Sequence, residues 1–191
     1  MQHRAQMTLI LGGARSGKST YGEQLATAHG GRITYLATCQ PYDDEMVARI
    51  AKHRAERPDT WRTVECPYDP AAAIRAHAAD SDCFLLDCLT LLVSNLVIME
   101  EATAEERVQA AIDDLVRACG ETNTPLIMVS NEVGLGLVPE YPLGRLYRDI
   151  LGRANQRLAA VADPVWFLIA GLPINVKALA KVTHFPEEGK L

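Results

Sequence analysis

The hydrophobic residues of this chain form short unbroken apolar runs, and longer segments with helical spacing separate those runs. An unbroken apolar run of about four to eight residues is typical of a strand buried on both faces of a sheet. The pattern predicts strands at residues 7–11, 33–37, 61–65, 83–87, 125–130 and 164–170. It predicts helices over 20–29, 43–57, 89–99 and 143–161, one beginning at Asp69–Pro70, and one that a capping box at Thr103 starts and that reaches about Cys119.

Strands and helices alternate along the whole chain, so we predict an α/β fold with a mostly parallel sheet and helices on both faces. In open sheets of this kind, ligands bind at the carboxyl ends of the strands. The residues that follow each predicted strand are therefore the first candidates for chemistry.

The first predicted strand runs into a segment that fits the phosphate-loop pattern of glycine, four residues, and Gly-Lys-Ser. In such a loop the backbone N–H groups surround an anion, Lys18 reaches the β- and γ-phosphates, and the Ser19 hydroxyl holds Mg²⁺. An ordinary glycine-rich turn is the alternative, but the strand before the segment and the helix after it favour the phosphate loop. The predicted nucleotide-binding residues are Gly12, Gly13, Ala14, Arg15, Ser16, Gly17, Lys18 and Ser19.

Asp87 ends the apolar run of residues 83–87, the place of a Walker-B carboxylate in phosphate-loop proteins. There it would bind Mg²⁺ directly or through water. The alternative is that Asp87 caps the helix predicted from Leu89. We favour the metal-linked role because the same chain carries a phosphate loop.

The predicted helix over 43–57 carries Arg49, His53 and Arg57 at intervals of four residues, so the three side chains share a face. A solvated basic stripe is one interpretation. The other is a neutral imidazole that attacks a polyphosphate, with the two guanidinium groups stabilising negative charge on the phosphoryl oxygens. The helix by itself leaves both open.

A loop with two glycines follows the strand at 125–130 and carries Asn131 and Glu132. It is either an ordinary connection or a substrate loop at the carboxyl edge of the sheet. The next helix carries Arg145, Arg148, Arg153 and Arg157, whose role, phosphate binding or solvation, the sequence leaves undecided.

The composition narrows the class of protein. A net charge of −5 without a basic run argues against a nucleic-acid partner. Five scattered cysteines without a CxxC pair indicate reduced thiols and a cytoplasmic location, and we expect no signal peptide and no membrane span. We expect one domain over residues 7–180, with a short extension at 1–6 and a tail at 181–191.

Taken together, the motifs resemble one family. The chain is similar to the bifunctional adenosylcobinamide kinase / adenosylcobinamide-phosphate guanylyltransferases of cobalamin biosynthesis. The resemblance spans about residues 7–178, and the matching stretches are residues 12–19, 37–40, 43–53, 57–58, 61–65, 86–90, 94–96, 130–139, 148–149, 152–156 and 171–177.

The resemblance implies a RecA-like three-layer α/β/α fold of the phosphate-loop NTPase type. It implies two reactions: phosphoryl transfer from ATP or GTP to adenosylcobinamide, and GMP transfer from GTP to the product through a histidine–GMP intermediate. The implied nucleophile is His53, because Lys52 stands where some relatives have a second histidine. The implied nucleotide contacts beyond the loop are Thr38, Cys39, Gln40, Glu56, Arg57, Pro58, Asp59, Glu65 and Asp87.

The implied partners are ATP or GTP with Mg²⁺, adenosylcobinamide or its phosphate, and further copies of the chain in a homotrimer, for which residues 89–99 would offer an apolar interface. Two other functions stay open at this point. One is a small-molecule kinase with a single activity, in which His53 only contacts phosphate. The other is a regulator that binds GTP without turnover.

Overall fold

A computed structural model describes residues 6–40, 51, 54, 55 and 57–180. Most of the helix predicted over 43–57, including His53, lies outside the described residues. The strands are β1 (Met7–Gly12), β2 (Ile33–Ala37), β3 (Arg62–Glu65), β4 (Cys83–Asp87), β5 (Leu126–Asn131), β6 (Val165–Ile169) and β7 (Leu172–Asn175). The helices of the described residues are α1 (Lys18–His29), α2 (Pro70–His77), α3 (Leu89–Met99), α4 (Ala104–Thr122), α5 (Pro142–Val161) and α6 (Val176–Leu179).

The strands form one seven-stranded sheet in the order β3-β2-β4-β5-β1-β6-β7. All neighbouring pairs are parallel except β6 with β7. The predicted α/β fold with a mostly parallel sheet is confirmed. β7 was not predicted; it returns against β6 through a tight turn at Ala170 and Gly171, which have φ values of 51° and 82°.

Helices cover both faces of the sheet, as the alternation predicted. Successive strand residues point to opposite faces, so Phe84 and Leu86 pack with α2, α3, α4 and α5, whereas Leu85 packs on the face of α1. All three side chains are fully buried. Truncating such a side chain to alanine costs about 2–5 kcal/mol, so the two clusters hold the strand ends in place.

Two predicted helix starts had different outcomes. Asp69 caps α2 through a 2.9 Å hydrogen bond from the Ala72 N–H, as predicted. The predicted capping box at Thr103 is wrong, because the Thr103 hydroxyl donates to Glu100 Oε2 instead and accepts from Arg107. A 3₁₀ turn over residues 101–103 precedes α4 and places Thr103 in that side-chain network.

The apolar helix α3 is mostly part of the core of its own subunit. Seven of its eleven residues are buried, and the exposed hydrophobic residues are Ile98 and Met99 at its end. Burial within the same chain therefore explains most of the apolar character of residues 89–99, and only Ile98 and Met99 are left for the predicted interface.

Candidate nucleotide site

The phosphate loop connects β1, in the interior of the sheet, with α1. Gly12 is required by packing, because a Cβ there would lie 2.5 Å from Ser16 Oγ and 2.9 Å from the Leu168 carbonyl oxygen. Gly17 precedes α1 with a φ of 90°, in the left-handed region that favours glycine. The two glycines let the chain turn tightly between strand and helix, which is the geometry that phosphate binding needs.

The turn between β6 and β7 packs against the phosphate loop and hydrogen-bonds to it. The Gly171 N–H donates to the Ser16 carbonyl at 2.9 Å, and a Cβ on Gly17 would lie 3.3 Å from Gly171 Cα. Ser16 is buried, and its Oγ has no hydrogen-bond partner among the described residues. A buried hydroxyl without a partner is costly, so this atom marks a place where a ligand oxygen fits.

Lys18 lies within the curve of the loop. Its Nζ donates to the Gly13 carbonyl at 3.0 Å. Burial, with a smaller contribution from the Asp87 charge, raises the pKa of the Cys88 thiol to about 12, and the nearby Lys18 ammonium opposes this rise.

Asp87 is oriented by Tyr35, a residue that the sequence analysis did not select. The Tyr35 hydroxyl donates to Asp87 Oδ2 at 3.1 Å, and burial raises the pKa of Tyr35, so the phenol stays protonated. The alternative role of Asp87 as a helix cap is not observed, because Cys88 is the N-cap of α3 and no capping side chain is found there in the described structure.

Arg57 connects this group to the segment that contains His53. Its guanidinium carbon lies 3.6 Å from the centroid of the Tyr35 ring, and its Nη1 donates to Thr63 Oγ1 at 3.3 Å. A cation–π contact of this kind is worth about 0.5–2 kcal/mol. Arg57 is therefore fixed over β2 and β3. It contacts Tyr35, the residue that hydrogen-bonds to Asp87.

The segment after β2 was predicted to contact nucleotide. Thr38 is fully buried, and its hydroxyl donates to the Cys88 carbonyl at 2.7 Å and accepts from the Cys88 N–H at 2.9 Å. Asn95, for which no role was predicted, donates to the Thr38 carbonyl at 2.9 Å. Thr38 thus joins the ends of β2 and β4, while the buried Gln40 Nε2 has no partner within the described chain.

The other predicted contacts near β3 lie at the two ends of that strand. Glu65 is exposed at the carboxyl end of β3 and pairs in register with Ala37. Pro58 and Asp59 are exposed in the turn before β3, so they lie at the opposite end of that strand. Glu65 therefore lies at the same edge of the sheet as Asp87, whereas Pro58 and Asp59 do not. Glu56 lies outside the described residues.

β5 lies between β1 and β4, so its carboxyl end separates the phosphate loop from Asp87. The Glu132 N–H donates to the Gly12 carbonyl at 3.0 Å, and the Asn131 N–H donates to Thr90 Oγ1 at 2.7 Å. Asn131 Oδ1 is buried and has no partner among the described residues. The candidate substrate loop therefore begins directly beside the phosphate loop.

The four arginines of α5 divide into two pairs. Arg153 and Arg157 form ion pairs with Glu105 and Asp113 of α4, so they join the two helices. Arg145 and Arg148 instead donate to backbone carbonyls of the loop after β5. Of the four, Arg148 and Arg153 also line the cavity between the carboxyl ends of β1 and β5 and α5.

Ser19 and Asp87 are the residues whose chemistry fits Mg²⁺. Both are half-buried and present oxygen atoms at the carboxyl edge of the sheet. Magnesium bound together with nucleotide needs only one or two protein carboxylates, because phosphates and waters complete its coordination. The donor set at this edge suits that arrangement.

The fold and the loop define a protein of the phosphate-loop α/β class. Within that class, the chain belongs to the cobinamide kinase / cobinamide phosphate guanyltransferase family, whose model matches residues 8–176. This family is the one that the motifs indicated.

Three curated relatives are similar over nearly their full length. The bifunctional adenosylcobalamin biosynthesis protein CobU of Salmonella typhimurium is 42% identical over 181 residues, which cover 90% of this chain and 99% of the relative. The protein of the same name from Escherichia coli is 40% identical with the same coverage. The bifunctional adenosylcobalamin biosynthesis protein CobP of Pseudomonas aeruginosa is 45% identical over 169 residues, which cover 88% of this chain and 96% of the relative.

None of the helices in the described part of the chain combines the length and apolar character needed to cross a lipid bilayer.

Proposed function

We propose that this chain is a bifunctional transferase that phosphorylates adenosylcobinamide with ATP or GTP and then transfers GMP from GTP to the product. The observation that carries the proposal is the carboxyl edge of the sheet. A phosphate loop with a buried unpartnered hydroxyl lies at the same edge as Asp87, one strand away, in a chain whose family is named for both activities.

In the first reaction the acceptor hydroxyl attacks the γ-phosphorus, and the bond to the β–γ bridging oxygen breaks. The protein contributes position and charge neutralisation, because phosphoryl transfer has a loose transition state with charge on the phosphoryl oxygens. Lys18 and the loop N–H groups neutralise that charge. Ser19 and Asp87 would hold Mg²⁺, which when bound neutralises phosphate charge further.

In the second reaction an imidazole nitrogen of His53 attacks the α-phosphorus of GTP, and pyrophosphate leaves. The acceptor phosphate then attacks the same phosphorus and frees the imidazole, giving adenosylcobinamide-GDP. Support comes from Arg57, four residues after His53, which is fixed over Tyr35 and through it near Asp87. The family name includes guanyl transfer, which a single-activity kinase would not require.

The decisive experiment uses GTP labelled in the α-phosphate. We expect the purified protein to retain label in an acid-labile, base-stable adduct, and cobinamide phosphate to discharge it as cobinamide-GDP. His53→Ala should abolish the adduct but keep phosphoryl transfer to cobinamide. An adduct that survives this change would overturn His53 as the nucleophile. If the protein turned over neither cobinamide nor cobinamide phosphate, the bifunctional assignment would be overturned.

The remaining proposals concern assembly and location. We propose a cytoplasmic homotrimer. In support, the loop after β5 and strand β7 expose hydrophobic side chains that a further copy of the chain would cover, among them Leu135, Leu137 and Leu172. Light scattering coupled to size-exclusion chromatography tests this, and a monomer at assay concentration would contradict it.

A further inference from the structure

A cavity of about 590 Å³ opens between the carboxyl ends of β1 and β5 and the helix α5. Its lining includes Leu11, Glu132, Gly134, Arg148, Asp149 and Arg153, of which Arg153 is ion-paired with Glu105 of α4. None of these residues belongs to the predicted nucleotide site. We call this cavity the acceptor pocket, for the reasons that follow.

The acceptor pocket adjoins the phosphate loop through the backbone. Leu11 lines the pocket, and the next residue, Gly12, begins the loop. The Glu132 N–H donates to the Gly12 carbonyl at 3.0 Å, so Glu132 is fixed beside the first residue of the loop. A molecule in the pocket therefore lies next to the edge where the triphosphate would bind.

A carboxylate and a guanidinium are held in the acceptor pocket by one glycine. The Gly134 N–H donates to Glu132 Oε1 at 2.6 Å, and Arg148 Nη2 donates to the Gly134 carbonyl at 2.9 Å. Both charged groups are half-buried. Because one peptide segment orients both, their relative position is set before a ligand arrives, which lowers the cost of binding.

A second groove along α5 differs from the acceptor pocket in how its charges are paired. That groove, of about 610 Å³, lies between α4 and α5, and Arg157 there is neutralised by an ion pair with Asp113. In the acceptor pocket, by contrast, Glu132 and Arg148 each bond to the backbone and are not paired with each other within the described structure. Their charges remain available to a ligand.

We propose that the acceptor pocket binds the non-nucleotide substrate, a molecule with a free hydroxyl group that later carries a phosphate. This proposal rests on the proposed function. In the first reaction the hydroxyl oxygen bonds to the γ-phosphorus, its proton passes to the Glu132 carboxylate, and the nucleoside diphosphate leaves. In the second reaction Arg148 binds the new phosphate group of the same molecule.

The test measures three rates or constants on each variant: labelling by α-labelled GTP alone, phosphoryl transfer to cobinamide, and guanylyl transfer to cobinamide phosphate. Glu132→Gln should lower kcat for phosphoryl transfer by about 10²-fold, because a lost general base costs at least that much. Labelling by GTP should stay at the wild-type level. Glu132→Asp, which keeps the carboxylate, should recover part of the lost rate.

Arg148→Ala should raise KM for cobinamide phosphate by about tenfold, the cost of a charge-assisted hydrogen bond, and change KM for cobinamide far less. A merely structural role for Arg148 would move both constants together. Arg157→Ala, the same substitution on the same helix, should leave every measurement at the wild-type value.

Wild-type phosphoryl transfer in Glu132→Gln, or equal changes in both constants in Arg148→Ala, would overturn the acceptor pocket. If Glu132→Gln proves unfolded by circular dichroism, the two constants of Arg148→Ala decide alone. Failure of the wild-type protein to use cobinamide would instead overturn the proposed function, and it would be seen before any variant is made.

Discussion

The two edges of the sheet use polar side chains differently. At the amino edge, Arg32 and Asp82 bond to each other through side chain and backbone, and the Thr34 and Ser81 hydroxyls lie 2.7 Å apart. At the carboxyl edge, buried polar atoms of Ser16, Gln40 and Asn131 have no partner among the described residues; the fourth such atom, Trp166 Nε1, lies elsewhere, on the face covered by α1.

The contrast distinguishes polar groups that stabilise the fold by bonding to each other from polar groups that a bound ligand would satisfy. A buried polar group without a partner costs about 1–3 kcal/mol, so a fold keeps such groups where binding satisfies them. The amino edge needs no ligand because its charges are paired. A substitution at one edge should therefore change the property that depends on that edge and leave the other edge unaffected.

The largest effect is expected from Lys18→Ala at the carboxyl edge. Loss of the ammonium that neutralises the transferring phosphoryl group should lower the rate of phosphoryl transfer by about 10³-fold. Nucleoside diphosphate release in the presence of cobinamide measures it, with circular dichroism as a control for folding. Turnover at the wild-type rate would remove the phosphate loop from the site.

The next effect concerns packing in the loop. Gly12→Ala should destabilise the protein by about 1–3 kcal/mol, because its Cβ would meet Ser16 Oγ at 2.5 Å and a backbone oxygen at 2.9 Å. Gly13→Ala is the matched control for folding, since a Cβ there meets no described atom within 4 Å. Urea unfolding without nucleotide compares them. Equal stability of the two variants would contradict the packing argument.

A smaller effect is expected from Tyr35→Phe, which removes the hydrogen bond to Asp87 and keeps the ring under Arg57. The half-saturating Mg²⁺ concentration for phosphoryl transfer should rise by about tenfold, as for other residues that orient a metal ligand. Tyr147→Phe is the matched control. It also removes a phenol hydroxyl, but one that donates to the Thr90 carbonyl, and it should leave the Mg²⁺ dependence unchanged. An unchanged Mg²⁺ dependence in Tyr35→Phe would separate Asp87 from the metal.

The smallest effect belongs to the amino edge. Hydrogen bonds from the Arg32 side chain and backbone lower the pKa of Asp82 to about 2, below the value of about 3.9 in an unfolded chain. A lowered folded-state pKa stabilises the protein above about pH 4, and this contribution is lost as the pH falls through about 2. Asp82→Asn should therefore be less stable than wild type at pH 7, and the difference should shrink below pH 4.

Urea unfolding at pH 7 and pH 3 measures that difference. The activities of Asp82→Asn at pH 7 should equal those of the wild type, because Asp82 lies at the edge away from the phosphate loop. A loss of activity without a loss of stability would contradict the division between the two edges.

Much of the fold could be predicted because its strands are short apolar runs. The bounds predicted for β2, β4 and α3 match the structure, since most of their residues are buried hydrophobic side chains and turn-forming residues flank them. β7 was not predicted because Leu172–Asn175 is short, contains a proline and lies at an edge of the sheet, where apolar residues are exposed. Its pairing with β6 is what supports the phosphate loop.

The candidate site was predictable only where a motif is local. Residues 12–19 carry their chemistry in one segment, so spacing alone indicated it. Tyr35 could not be found this way, because its contact with Asp87 depends on the pairing of β2 with β4, fifty-two residues apart at these positions. Arg148 was left undecided among four arginines until the structure showed which of them pair with α4.

Hydrogen–deuterium exchange on the wild-type protein, with and without a non-hydrolysable GTP analogue and Mg²⁺, tests most directly whether the carboxyl edge holds the nucleotide. We expect the analogue to slow exchange of backbone N–H groups at residues 12–19, and to leave residues 32 and 80–82 at the amino edge unchanged. Unchanged exchange across residues 12–19, with slowing at the amino edge or between α4 and α5, would contradict this assignment.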